Sequence, residues 1–214
     1  MMGTNPSLDL AAMSELTSFE GTSRELAERK RALRQSIRAR RASLSPDARA
    51  AATAGLTEQL RALVAARDAR TIACFLSTET EPETRPFIDW ALDAGLTVLL
   101  PISREDGLLD WAHADAAVDA VTGRHGIPEP AGDRLGVPAL GEVDLAIVPA
   151  SAVDRTGTRM GWGKGYYDKS LATLTVTPPL FALVYDEEVV DSLPRETHDV
   201  PATGVVTPTT TITF

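Results

Sequence analysis

Asp144-Leu145-Ala146-Ile147-Val148-Pro149 is an unbroken apolar run, opened by an acid and closed by a proline. A short run of this kind reads as a strand covered on both faces, as parallel sheets require. Residues 96–100, closed by Pro101, repeat the pattern. Residues 71–76, 108–112, 180–184 and 204–206 read as further strands. Helical stretches separate them. Residues 24–42 hold strong helix formers and no Gly or Pro. Ser45-Pro46-Asp47 opens a second helix with a hydroxyl cap, a first-turn proline and an acid facing the dipole. It is expected to run to about Ala66, with a bend near Gly55. Residues 84–94 read as a helix capped by Thr84 and stopped by Gly95, and residues 166–174 as a short one. This alternation predicts an α/β fold: three layers, a mostly parallel sheet, helices on both faces, Rossmann-like. Ligands in such sheets sit beyond the C-terminal ends of the strands.

The chain has 214 residues, 43% hydrophobic and 24% charged, enough for one domain with a core. Residues 1–23 are polar and aperiodic and read as a flexible extension; residues 24–214 read as the single domain. Residues 119–143 are rich in Gly and Pro and read as a long ordered loop. There is neither a signal-peptide pattern at the start nor a membrane-length apolar run. The lone cysteine, Cys74, cannot form an internal disulfide and reads as a small buried hydrophobe rather than a nucleophile. A reducing, cytoplasmic setting is expected.

The net charge of −9 disfavours nucleic acid as a partner. Its distribution is uneven. Residues 24–49 hold nine basic residues against three acids, a local +6 that leaves −15 for the rest. Lys30, Arg34, Arg38 and Arg41 follow one another at spacings of four, four and three, which places them on one helical face. That face reads as a solvated charged surface, or as one reaching toward phosphates.

A second feature follows the strand at 144–148. In Arg159-Met160-Gly161-Trp162-Gly163-Lys164-Gly165-Tyr166-Tyr167-Asp168 three glycines alternate. Glycine lets the backbone approach a ligand closely and adopt positive φ. Successive N–H groups there can cradle an anion. Arg159 and Lys164 supply charge for phosphates, and Asp168 an oxygen for a hard cation. Tyr166 stands where a dinucleotide fingerprint needs its third glycine, and Walker A spacing is missing. From spacing alone the stretch is a phosphate cradle or a tight loop with a structural aromatic pair. In Leu76-Ser77-Thr78-Glu79-Thr80-Glu81 a carboxylate could bind a pterin ring, although loop acids are common. Asp199 could be a second metal ligand. His113, His125 and His198 show no paired ligand spacing and read as structural or solvent-facing.

In this order the segments resemble the 5-formyltetrahydrofolate cyclo-ligase family over residues 28–207. The motifs are Lys30-Arg31-Ala32-Leu33-Arg34, Phe75-Leu76-Ser77 with Glu81, Gly123-Arg124-His125-Gly126-Ile127-Pro128-Glu129-Pro130, the run from Asp144 to Pro149 with Asp154, the loop from Arg159 to Asp168, and Leu193-Pro194 with His198-Asp199. The resemblance implies an ATP-dependent ligase that closes 5-formyltetrahydrofolate to 5,10-methenyltetrahydrofolate. It implies ATP contacts from Lys30, Arg34 and the loop residues Arg159, Met160, Gly161, Trp162, Gly163, Lys164, Gly165, Tyr166 and Tyr167. It implies folate contacts from Leu76, Glu81, Trp162, Gly163, Lys164, Gly165 and Tyr166. Arg159 and Lys164 are the expected catalytic cations, and Asp168 and Asp199 the expected Mg²⁺ ligands. A monomer is expected. Trp162, Met160 and Ala150-Ser151 depart from the usual pattern. Rival readings are a folate or nucleotide binder without turnover, a nucleic-acid binder using residues 24–49, and another enzyme on an α/β scaffold, such as a sugar-phosphate isomerase or CoA transferase.

Overall fold

Seven strands form the central sheet of the computed structural model, which describes residues 23–115, 121–195 and 199–214. The strands are β1 (Thr71–Ala73), β2 (Thr97–Ser103), β3 (Leu109–His113), β6 (Leu145–Pro149), β9 (Leu180–Leu183), β11 (Gly204–Val206) and β12 (Thr211–Thr213), in the order β12-β11-β9-β6-β1-β2-β3. The five inner strands are parallel, and the two edge strands run antiparallel to their neighbours. From β1 the chain moves one way to β2, and from β6 the other way to β9. The switch point therefore lies between β1 and β6.

Alternation along each strand serves both faces. Leu145 and Ile147 of β6, with Phe181 and Leu183 of β9, pack under helices α2 (Pro46–Ala66) and α3 (Arg85–Asp93). Ala146 and Val148, with Leu180 and Ala182, pack on the other face. There they meet Ala139 and Leu140 of a 3-10 turn and Leu171 of α4 (Tyr166–Leu171). The mostly parallel sheet covered on both faces agrees with the sequence. The second covering layer is thinner than expected, because α4 has six residues and stops well short of residue 174.

Some local expectations need correction. Ser45 caps α2 as read, accepting from the Ala48 amide at 3.2 Å. Thr84 does not cap α3. Its hydroxyl donates to the Phe75 carbonyl at 2.6 Å, and the Glu83 carboxylate takes the Thr84 and Arg85 amides. Gly55 lies within an unbroken helix. A Cβ there would lie 2.3 Å from the Pro208 carbonyl oxygen, so close packing accounts for the glycine. The 119–143 region contains a small hairpin, β4 (Val121–Thr122) with β5 (Pro128–Glu129), that the sequence did not announce. Residues 1–22 of the expected extension, together with His198, lie outside the described residues.

Helix α1 (Ser23–Ser43) avoids the main sheet. It packs Leu33 and Ile37 on Ala152, Met160, Val190 and Leu193. These belong to or adjoin a second sheet of β7 (Ala152–Asp154), β8 (Arg159–Met160) and β10 (Val189–Val190). Asp154 braces that sheet: its carboxylate accepts from the amides of Thr156, Thr158 and Leu193 at 2.8–3.0 Å. Arg41 anchors α1. It is fully buried, as is Glu188, and donates to both Glu188 oxygens at 2.6 and 2.8 Å and to the Ala150 carbonyl at 2.9 Å. Glu188→Ala would leave a buried guanidinium without its counter-charge. Urea unfolding is expected to show a loss of about 3–5 kcal/mol.

Candidate functional site

The chain leaves β1 at Phe75 and Leu76 and ends β6 at Pro149, on the two sides of the switch point. A cavity of about 310 Å³ opens there. Its floor comes from these strand ends and from Pro101 of β2. One wall is the glycine loop, another is the Thr78–Glu81 turn, and Ile127 and Pro128 close a third side. The position obeys the rule for open α/β sheets, since loops leaving adjacent strands in opposite directions part to form a crevice.

The glycine loop owes its path to two left-handed residues, Gly163 (φ 89°) and Gly165 (φ 71°). A side chain is strained at either position. Gly161 contributes differently, since its carbonyl accepts from Arg34 Nε at 2.7 Å. The basic stripe of α1 thus runs along the loop. Arg41 is the buried anchor, Arg38 enters the cavity lining, Arg34 holds the loop backbone, and Lys30 faces Asp199 at 3.9 Å. Trp162 lies under this stripe, with the guanidinium carbons of Arg38 and Arg41 each 5.0 Å from its ring centroid, within cation–π range.

Arg159 is buried on β8, and its Nη2 meets Asp168 Oδ1 at 2.5 Å. Both line the cavity, as do Lys164, Gly165, Tyr166 and Tyr167. Glu81 also lines it. Its Oε2 accepts from the amide and the hydroxyl of Thr78, both at 2.9 Å, which fixes the carboxylate in place. The Tyr167 hydroxyl end is enclosed, and burial pushes its ionisation well above the ordinary tyrosine value. Its ring meets Trp111 edge-on at 6.4 Å.

The structure therefore gathers Leu76, Glu81, Arg159, Trp162, Lys164 and the two tyrosines around one cavity. It places others apart. Met160 sits in the small core with Ile37. Lys30, Arg34 and Asp199 lie beyond the lining; Arg34 reaches the loop through the Gly161 carbonyl, and Lys30 faces Asp199. Among the described residues no three His, Cys, Asp or Glu side chains form a metal-holding group. Arg38 lines the cavity from the basic face that the sequence showed, although it was not assigned a site role there. Ser103 carried no signal of its own, and Ile127 appeared only within the 123–130 motif.

The chain matches the model of the 5-formyltetrahydrofolate cyclo-ligase family over residues 26–208. It belongs to that family. Among cyclo-ligase relatives, the Mycolicibacterium smegmatis protein is 37% identical over 144 residues, covering 65% of this chain and 74% of the relative. The Escherichia coli K12 protein is 32% identical over 176 residues, covering 80% and 96%. The solution structure of Aquifex aeolicus 5,10-methenyltetrahydrofolate synthetase superposes with a TM-score of 0.73 at 27% identity, covering 86% of this chain and 92% of that one. A Mycoplasma pneumoniae synthetase shares the fold, with a TM-score of 0.67 at 20% identity. The cyclo-ligase family is one of ligases, and this chain is an enzyme of that class.

Cys74 follows the last residue of β1, next to Phe75 of the cavity lining, and is buried. Burial pushes its thiol up to about 12. A raised thiol leaves the group neutral below its ordinary value near 9, and native stability falls as the pH climbs from there toward 12. Iodoacetamide at pH 8 is expected to leave Cys74 of the folded protein unlabelled and to label it promptly in urea, read by intact mass.

Proposed function

We propose that the protein closes 5-formyltetrahydrofolate to 5,10-methenyltetrahydrofolate with ATP, releasing ADP and phosphate, in the cavity at the β1–β6 switch point. The observation that carries this reading is the pairing across that cavity of a fixed acid, Glu81, with the cations Arg159 and Lys164 on a glycine loop. An acid suits the paired N–H donors of a pterin. The cations and loop amides suit the phosphates of a nucleotide.

The chemistry explains why both are needed. The formyl group on N5 is an amide, and its oxygen leaves poorly. Transfer of the γ-phosphoryl group to that oxygen, with departure of ADP, makes it a phosphate leaving group. The N10 lone pair then attacks the formyl carbon, N10 loses its proton, and the carbon–oxygen bond breaks as phosphate departs. Phosphoryl transfer depends mainly on positioning and on charge balance. Arg159, held by Asp168 and buried, is oriented before substrate arrives. Lys164 extends from the loop between two left-handed glycines. Arg34 fixes the loop from outside through the Gly161 carbonyl, and Lys30 neighbours Asp199. Leu76 and the Trp162 ring provide apolar surface for flat rings.

Mg²⁺ is the expected companion of ATP. Asp168 and Asp199 would hold it, each beside a cation that can shift to phosphate. Among the described residues no group of three or more His, Cys, Asp or Glu forms, which suits an ion that keeps most of its waters. When bound, it neutralises charge on the transferring group. A cytoplasmic setting is supported by the buried free thiol.

The first test mixes the protein with the folate, ATP and Mg²⁺ and follows the near-ultraviolet band of the methenyl product. Growth that needs both ATP and Mg²⁺ is expected; a flat trace from folded protein sinks the reading. With ¹⁸O in the formyl group, the label is expected in the released phosphate by mass spectrometry, and its loss to water would sink the phosphorylated intermediate. Arg159→Ala is expected to lower turnover roughly 10²–10³-fold, as removal of a preorganised charge contact does.

A further inference from the structure

Six buried side-chain polar atoms among the described residues have no hydrogen-bond partner in the protein. Three of them, Arg159 Nε, Trp162 Nε1 and the Tyr167 hydroxyl, belong to residues lining the same cavity. A buried donor without an acceptor destabilises the fold. Its retention is accounted for when a ligand brings the acceptor. Three such donors around one cavity point to a ligand rich in acceptor oxygens.

Tyr167 has the most informative position. It lies in the first turn of α4, directly after the left-handed Gly165 and Tyr166. The edge of Trp111 packs against its ring and limits how the hydroxyl can swing. Glu81, the acid of the pterin side, and Arg159, the cation of the phosphate side, line the same cavity as Tyr167. In the reaction above, one acceptor belongs to both sides: the formyl oxygen, bonded to the folate and about to bond to phosphorus.

We propose that Tyr167 is a further catalytic residue, whose hydroxyl donates a hydrogen bond to the formyl oxygen of the folate. This rests on the cyclo-ligase reaction as written above. A carbonyl oxygen has two lone pairs. Tyr167 occupies one and thereby turns the other toward the γ-phosphorus. No proton changes hands. After phosphoryl transfer the hydroxyl remains on the oxygen that now bridges carbon and phosphorus. As N10 closes on the carbon, that oxygen gathers negative charge, and the hydrogen bond strengthens. The donor thus favours departure of phosphate over reversal.

Tyr167→Phe tests this beside the wild-type protein. The expected result is a kcat lower by roughly 10²-fold, as for a lost oxyanion donor, with the KM for ATP unmoved. The thermal midpoint of the free protein is expected to hold or rise, because the deleted hydroxyl had no protein partner. A structural role predicts the reverse, a lower midpoint with near-normal kcat. A variant that fails to fold or loses thermal stability shows the hydroxyl paired within the protein and overturns the assignment. An undiminished kcat in Tyr167→Phe beside an active wild type also overturns it and leaves the reaction standing. An inactive wild type removes the reaction and the tyrosine's role together.

Discussion

The buried pair of Arg41 and Glu188 determines where everything else in the site can be. Both groups are cut off from water, so each depends on the other for its charge to be tolerable, Arg41 also on the Ala150 carbonyl and Glu188 also on the Tyr185 amide. That dependence fixes α1 in rotation and in register against the body of the protein. Three residues back along the same face, Arg38 reaches the cavity. Four further, Arg34 takes the Gly161 carbonyl, and four further again Lys30 faces Asp199. One buried ion pair therefore sets the register of three cations along a loop that has little regular structure of its own.

The loop needs that outside support because its glycines give it freedom. Gly163 and Gly165 can adopt left-handed backbone, but in an unconstrained chain they would also sample much else. Arg34 from above, Trp162 beneath the guanidinium groups, and the Arg159–Asp168 contact from below restrict it. Permissive backbone and imposed geometry together give a surface that can approach a phosphate chain closely and still be in place beforehand.

Much of this was legible in the sequence. The apolar runs at 144–148 and 96–100 announced strands covered on both faces, and the glycine loop announced a close approach to a ligand. What was not legible depended on distance along the chain. Nothing near residue 41 signals Glu188, 147 residues away, so the basic face of α1 read as solvated or phosphate-facing. Part of it is neither. Thr84 looked like a cap, yet Glu83 took the amides while the Thr84 hydroxyl turned to the carbonyl left free where β1 ends. Strands of two or three residues, such as β4 and β7, are too short to show a period and exist only because a partner strand lies alongside.

Among the described residues the hydrophobic interior falls into three clusters, and α1 belongs to the smallest. The two large clusters hold the sheet between its covering layers without any side chain from α1. Cooperative units of a protein can open independently when few apolar contacts join them. Loss of the loop-facing cations of α1, with the Arg41–Glu188 pair kept, therefore takes away the positioning of the loop while the sheet stays packed. A variant of this enzyme can be inactive with its sheet intact, and amide exchange along residues 23–43 is the signal that reports a loosened α1.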